Sequence, residues 1–217
     1  VEHPQALIDE LQYGPWRSHP ALPPAEYALT ARLAKDDRSV YTFCMCPGGR
    51  VIACSAAAGG VITNGMSLSR RARAYATSAV VVNVRTEDFA PDPDDPLAGL
   101  AFRRLWEARA FAVAGGAYRA PAQRLTDFLV RRVSPDIPET TFRPGVTPVP
   151  LHEVLPRFVG ASLVEGLRAF DRRMPGFVTA EAVLIGVETR TSSPVRILRG
   201  GDGQSVSVRG LYPCGEG

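Results

Sequence analysis

Long apolar runs are missing from this chain of 217 residues. A membrane-spanning helix needs about 18 or more consecutive apolar residues, and no run approaches that length, so we expect no membrane insertion. A basic stretch followed by an apolar block is missing from "VEHPQALIDE" at the start. We therefore expect no signal peptide and a cytoplasmic location.

Cysteine is scarce, with Cys44, Cys46, Cys54 and Cys214 as its four positions. Cys44 and Cys46 would share one face of a strand, because side chains alternate along it. Adding Cys54 leaves a three-cysteine metal site open, but this spacing is not one of the zinc patterns. We favour reduced cysteines buried as small apolar side chains, and no metal.

Lysine is almost absent, since Lys35 stands alone among 25 basic residues and the others are arginine. The formal net charge is only +3, and the acidic residues are spread along the chain. The stretches "RRARAY" and "FRRLWEAR" come closest to a basic cluster with aromatic residues. A nucleic-acid-binding surface would need more clustering, so we expect no nucleic-acid partner.

Common catalytic signatures are also missing. The chain contains neither the G-x-G-x-x-G fingerprint nor a phosphate-binding loop. "GASLVEG" fails the nucleophile motif G-x-S-x-G because Val164 replaces a glycine, and His152-Glu153 does not extend to H-E-x-x-H. No complete active site is visible in this sequence by itself.

The first part of the chain is typical of strands. Residues 26–56 read as a β-meander with turns at "DDRS" and "PGG", because β-branched and aromatic residues fill the stretches between these turns. Another strand is predicted within 74–89. The tail predicts further strands at 182–199 and 205–214, separated by the turn "GGDGQ".

A helical subdomain is predicted at roughly 94–176. Its first helix starts near Asp94 or Asp95 with Pro96 in the first turn, and Gly115-Gly116 ends it. A second helix is predicted to begin at Pro121, and a third runs from about Pro156 to Met174. The apolar face of the first helix follows helical spacing. It comprises Leu97, Leu100, Ala101, Leu105, Ala108, Phe111 and Ala112.

Strands, then helices, then strands favour an α+β fold. We expect an antiparallel or mixed β-sheet, or a barrel-like meander, with a segregated cluster of about three helices. Two segments rich in glycine and serine, "AGGVITNGMS" (58–67) and "ETRTSSP" (188–194), suit close approach to a ligand. Glu216, between two glycines after a predicted strand, suits hydrogen bonding to sugar hydroxyls or a position near a pyrophosphate.

Three segments carry a family resemblance. "GGRVIACSAAAGGVITNGMSLSRRA", "GVETRTSSPVRILR" and "GLYPCGEG" together resemble the C-terminal half of a family of bacterial FAD-dependent dehydrogenases. The resemblance covers nearly the whole chain. It implies that 1–217 is a single substrate-side domain, inserted in a larger flavoprotein, and that 210–217 starts a second FAD-binding motif.

The resemblance also implies a set of site residues. FAD would contact Gly59, Gly60, Thr63, Asn64, Gly65, Gly215, Glu216 and Gly217. A small-molecule substrate would contact Arg190, Thr191, Ser192 and Ser193, and Arg190 would bind a carboxylate of the substrate through two hydrogen bonds.

The implied partner is a Rossmann FAD-binding domain of the same polypeptide. FAD is expected in that full-length parent oxidoreductase, and none on this fragment, which would be inactive when isolated. On this hypothesis the chain ends lie close together, and 58–65, 190–193 and Glu216 share one face. The alternative is a non-catalytic binding or interaction module that uses the glycine-rich loop, and it predicts a loop remote from the C-terminus.

Overall fold

The computed structural model describes residues 1–55, 57–90, 94–191, 193 and 196–214. Within these ranges the chain forms an α+β fold with four helices and one mixed sheet of eight strands. The helices are α1 (Gln5–Tyr13), α2 (Ala98–Val113), α3 (Leu125–Leu129) and α4 (Arg157–Arg173). The strands are β1 (Glu2–Pro4), β2 (Thr30–Leu33), β3 (Arg38–Ala53), β4 (Thr63–Ser67), β5 (Tyr75–Val82), β6 (Ala120–Arg124), β7 (Val146–Pro148) and β8 (Val183–Ile185).

The sheet has the strand order β2-β3-β5-β1-β8-β6-β7, and β4 pairs with β3 beside this path. All neighbours are antiparallel except β6 and β7, which run parallel. The short β1 connects the N-terminal strands to β8, because it pairs with β5 on one side and β8 on the other. Strands β6 and β7, which lie within the predicted helical subdomain, therefore belong to the same sheet as the N-terminal strands.

Helix α4 covers the N-terminal part of the sheet, where it contacts β2, β3 and β5. Its apolar residues Leu163, Leu167 and Phe170 recur at helical spacing and are buried. The predicted third helix is thus confirmed almost to the residue. Gly166 allows the close approach, since a Cβ there would lie 2.5 Å from the Cβ of Val40 on β3.

Strand β3 continues through the predicted turn "PGG" without reversing direction, so that turn prediction is wrong. Its first half pairs with β2 and its second half with β4, while β5 lies along its other edge. Gly48 has φ +51°, and a Cβ there would lie 1.8 Å from the carbonyl oxygen of Arg71. Gly48 thus allows the backbone at Arg71 to approach β3 closely, and it does not reverse the chain.

The register shifts in β3 also change the cysteine interpretation. Cys44 has φ +45°, and the pairing with β5 is interrupted between Phe43 and Cys46. Simple alternation therefore does not place Cys44 and Cys46 on one face. Cys44 and Cys214 are exposed, whereas Cys46 and Cys54 are half-buried, so the prediction of four buried cysteines is wrong.

Two more predicted elements differ. Residues at Pro121 form strand β6 instead of a helix start, because β7 and β8 pair with it on both sides, and the short α3 follows. In the tail, β8 is the only named strand among the described residues. Val206 and Val208 are exposed and lie outside any strand, because an isolated bridge between Arg199 and Ser205 is the only β-pairing described there.

Candidate functional site

A cleft of about 530 Å³ opens between the sheet and two helices. Its walls come from Ala79–Val82 of β5, from α2, from α4 and from residues 184–189 at and after β8. Most of these side chains are apolar, and the polar ones include Arg103, Glu188, Thr189 and Thr191. An apolar concave site with a few polar groups is the usual form of a small-molecule pocket.

One wall of the cleft is aromatic. Phe102 and Trp106 are four residues apart on α2, so they lie on the same face of the helix, with ring centroids 6.0 Å apart. Phe89 extends this row, 5.8 Å from Phe102. The Nε1 of Trp106 is buried and has no hydrogen-bond partner among the described residues. A flat apolar surface with an unused donor thus faces the cleft region.

Glu107 connects α2 to the segment that follows β8. Its side chain is buried, and its Oε1 accepts a hydrogen bond of 2.7 Å from Thr189 Oγ1. Arg190 donates to both carboxylate oxygens, from Nε at 3.2 Å and from Nη2 at 3.1 Å. Arg103 Nε lies 3.2 Å from Oε1, close enough for an ion pair but without the alignment of a hydrogen bond.

Glu107 also anchors the glycine-rich segment. Its backbone oxygen accepts a hydrogen bond of 3.1 Å from the amide of Val61. A Cβ on the buried Gly60 would lie 3.4 Å from the Cβ of Glu107. Two segments singled out in the sequence therefore meet at Glu107, the one near residue 60 at its backbone and Cβ and the one near residue 190 at its carboxylate.

Two guanidinium groups share this carboxylate. Glu107 is the only carboxylate within ion-pair distance of Arg103 or Arg190 in the described part of the chain. Burial lowers the pKa of Arg103, and the neighbouring charge of Arg190 acts in the same direction. One positive charge beside the cleft is thus left without a partner of its own.

Glu188 is the ionisable carboxyl group in the cleft wall. Burial raises its pKa to about 7. Its neighbours on both sides are held in place, because the amide of Thr63 donates to Val187 O at 2.9 Å and Thr189 is bonded to Glu107. A carboxyl group poised between its two charge states in an apolar cleft is suited to exchange a proton near neutral pH.

The predicted FAD contacts are distributed unevenly. Gly60 and Thr63 are buried, and the Thr63 hydroxyl lies 3.4 Å from Ile185 O. Asn64 and Gly65 belong to β4 and pair with β3, and a Cβ on Gly65 would lie 2.9 Å from Thr77 Oγ1. Gly59 is half-buried with φ +74° and open space around it.

None of the described residues 59–65 lines the cleft itself. Their contacts lie behind its wall, where they support residues 185–190. Glycines in this segment therefore serve close packing of protein against protein at positions 60 and 65. Gly215, Glu216 and Gly217 fall outside the described residues, so the shared face predicted for Glu216 stays a prediction.

The predicted substrate contacts lie closer to the cleft. Thr191 and Ser193 line it, whereas Ser192 falls outside the described residues. Arg190 is not part of the lining, because its guanidinium is directed to Glu107. Thr191 and Ser193 thus lie at the cleft, whereas Arg190 is paired with Glu107 inside the domain.

The sequence pattern did not indicate Glu107, Arg103, Trp106 or Glu188 as site residues. It assigned the apolar face of α2 to residues that include Leu97 and Leu105, and these are 56% and 59% exposed. The buried positions of α2 are Ala98, Glu107 and Ala110. A carboxylate four residues after an arginine, within "FRRLWEAR", was the available signal for an ion pair on one helix face.

The described residues contain no group of three or more histidine, cysteine, aspartate or glutamate side chains arranged to hold a metal ion. None of their helices is both long enough and apolar enough to cross a membrane.

Comparison with known proteins agrees with the family resemblance. A protein of Clostridium beijerinckii (strain ATCC 51743 / NCIMB 8052), described as an uncharacterized protein, is 44% identical over 219 aligned residues. The alignment covers 100% of this chain but 41% of that relative, so the chain spans about two fifths of the relative's length. Residues 1–191 match the model of a family described as "FAD-dependent protein, C-terminal domain-like". Because this match covers most of the chain, the protein belongs to the family of FAD-dependent proteins, as their C-terminal domain.

Proposed function

We propose that this chain is the substrate-side domain of an FAD-dependent oxidoreductase, in which the cleft holds a small-molecule substrate against the flavin. The partner would be a nucleotide-binding Rossmann domain of the same polypeptide. The observation that carries the proposal is that residues 60–61 and 189–190 both contact Glu107, directly behind the wall of an apolar cleft. The competing hypothesis of a free glycine-rich gripping loop is disfavoured because Gly60 is buried in this contact.

The residues present fit one part of FAD. Aromatic side chains of the cleft, including Phe102 and Trp106, suit a flat apolar ring system. The sequence contains no glycine fingerprint for the pyrophosphate, so this chain would not hold the ADP portion. When bound, the flavin would supply the hydride chemistry, and the residues of this chain would position the substrate and exclude water.

Glu188 would hold or release a proton at its carboxyl oxygens, since burial places its pKa near the working pH. Trp106 and Phe102 would orient a flat ligand by ring contact. Glu107 would act only through others, because it fixes Thr189 and the neighbouring backbone. We also propose that the isolated chain holds no FAD, since the pyrophosphate cradle lies elsewhere.

The experiment is flavin reconstitution of the longer polypeptide that carries this domain together with its nucleotide-binding domain. With FAD supplied, we expect an absorption band at about 450 nm at a stoichiometry of about one flavin per chain. Replacing Trp106 by alanine should change the shape of that band, because Trp106 faces the cleft. Trp16→Ala is the matched control, since Trp16 is 69% exposed and is not among the residues that line the cleft. A colourless reconstituted protein, or a spectrum insensitive to Trp106→Ala, would contradict the proposal.

A further inference from the structure

The side chain of Arg103 is accessible from the cleft. Its side chain is 18% exposed and lines the cavity, whereas Arg190 lies behind the wall. Arg103 approaches Glu107 through Nε, and no described hydrogen bond uses its two terminal nitrogens. A guanidinium group carries five donors in a planar fork, so its terminal nitrogens can still receive a carboxylate.

A second donor lies on the same face of α2. Trp106 follows Arg103 by three residues, which places both side chains on one side of the helix. Its buried Nε1 has no acceptor among the described residues. A buried donor without a hydrogen bond costs free energy. A ligand acceptor that bonds to Trp106 Nε1 would therefore stabilise the complex.

The rest of the cleft suits an apolar body. Phe89 and Phe102 form the aromatic wall with Trp106, and Leu163 and Val159 of α4 provide an aliphatic wall. A neutral ligand would leave the terminal nitrogens of Arg103 without an anionic partner, because Glu107 approaches only its Nε. An apolar molecule with an anionic group at one end suits the whole cleft, because the anion can pair with Arg103 and the rest can contact the apolar walls.

We infer that the cleft binds an organic acid whose anionic group pairs with Arg103 and whose apolar body lies along the aliphatic wall of Val159 and Leu163. This inference rests on the proposed function for the identity of the cleft, and it assigns the class of substrate. Its direct contacts are the terminal nitrogens of Arg103 and the Nε1 of Trp106. Glu107 holds Arg103 in place from behind.

The experiment measures ligand binding by titration calorimetry on the longer polypeptide, in its flavin-free and FAD-loaded forms. The probe is phenylpropionate, and its uncharged amide is the matched ligand control. A charge-assisted hydrogen bond predicts that the acid binds about ten- to a hundredfold more tightly than the amide. Arg103→Gln should remove this preference and leave the affinity of the amide unchanged.

Arg104→Gln is the matched protein control, because Arg104 is the next residue of α2 and its side chain is exposed. It should keep the preference for the acid, and circular dichroism should show that both variants are folded. Equal affinities of acid and amide, no binding of the acid, or equal losses in both variants would overturn the inference. Loss of acid binding on FAD loading would overturn it too, because the charge would then face the cofactor. The flavin-free titration decides the ligand class even if the protein fails to bind FAD.

Discussion

Arg190 Nη2 lies 3.1 Å from Glu107 Oε2, although the two residues are 83 positions apart in the chain. This ion pair joins the segment after β8 to α2 beside the cleft. The Glu107 side chain is buried, and the Arg190 side chain is 31% exposed. The pair therefore links the stability of the domain to the geometry of the candidate site.

Glu107→Gln should destabilise the domain by about 2–3 kcal/mol. Removing one partner of a buried ion pair costs about 3–5 kcal/mol, and partial solvent access of both arginines reduces that cost. Urea unfolding measures the change in the free energy of unfolding. Glu87→Gln is the control, because Glu87 forms an exposed pair with Arg85 at 3.8 Å and should change stability by at most about 0.5 kcal/mol. Equal effects of the two substitutions would show that Glu107 is not an anchor.

Two arginine–aspartate pairs of equal length test the effect of burial. Arg38 Nη2 to Asp88 Oδ1 and Arg32 Nη2 to Asp37 Oδ1 are both 2.6 Å. The Asp88 side chain is 10% exposed and the Asp37 side chain 65%. Asp88→Asn should cost about 2–4 kcal/mol and Asp37→Asn about 0.5 kcal/mol or less in thermal unfolding. A loss of stability on Asp37→Asn as large as that on Asp88→Asn would contradict the expected effect of burial.

Gly166→Ala should destabilise the packing of α4 on the sheet. Alanine favours the helix by about 1 kcal/mol, but its Cβ would lie 2.5 Å from side-chain atoms of Val40. Overpacking of this kind costs about 1–3 kcal/mol, so we expect a net loss of up to about 2 kcal/mol by urea unfolding. Gly201→Ala is the control, because nothing lies within 4 Å of the added Cβ. An increase in stability on Gly166→Ala would mean that α4 lies farther from β3 than described.

Glu188→Gln should change how stability depends on pH. Burial raises the pKa of Glu188 from 4.5 to about 7, so the folded protein binds a proton that the unfolded chain releases above pH 4.5. Glu188 therefore contributes stability below about pH 4.5, and this contribution is lost as the pH rises through about 7. At pH 8, Glu188→Gln should be more stable than the wild type by on the order of 2 kcal/mol.

The difference between wild type and Glu188→Gln reports the ionisation of Glu188 and of the Val1 amino group that interacts with it. Burial lowers the pKa of His3 to about 4, but both proteins contain His3, so its effect cancels. Glu181→Gln is the control, since that side chain is exposed and its effect should not change between pH 5 and 8. A constant difference for Glu188→Gln over this range would show that Glu188 is fully solvated.

Several elements were predictable because their determinants are local. The spacing of Leu163, Leu167 and Phe170 specifies α4, and Gly115 and Gly116 adopt positive φ beyond the end of α2. The predicted strand in 74–89 contains β5. Local pattern failed at Pro121, where pairing with β7 and β8 overrides the helical signal.

By itself, the sequence determined the α+β class, the long helices and the resemblance to FAD-dependent proteins, because periodicity and motifs are properties of neighbouring residues. The tertiary structure decided which side chains form the site. Glu107 meets Gly60 and Arg190 only after strands distant in the chain pair, and the orientation of α2 exposes Leu105 while it directs Trp106 to the cleft. Contacts between distant segments depend on the packing of the whole sheet, which no local pattern encodes.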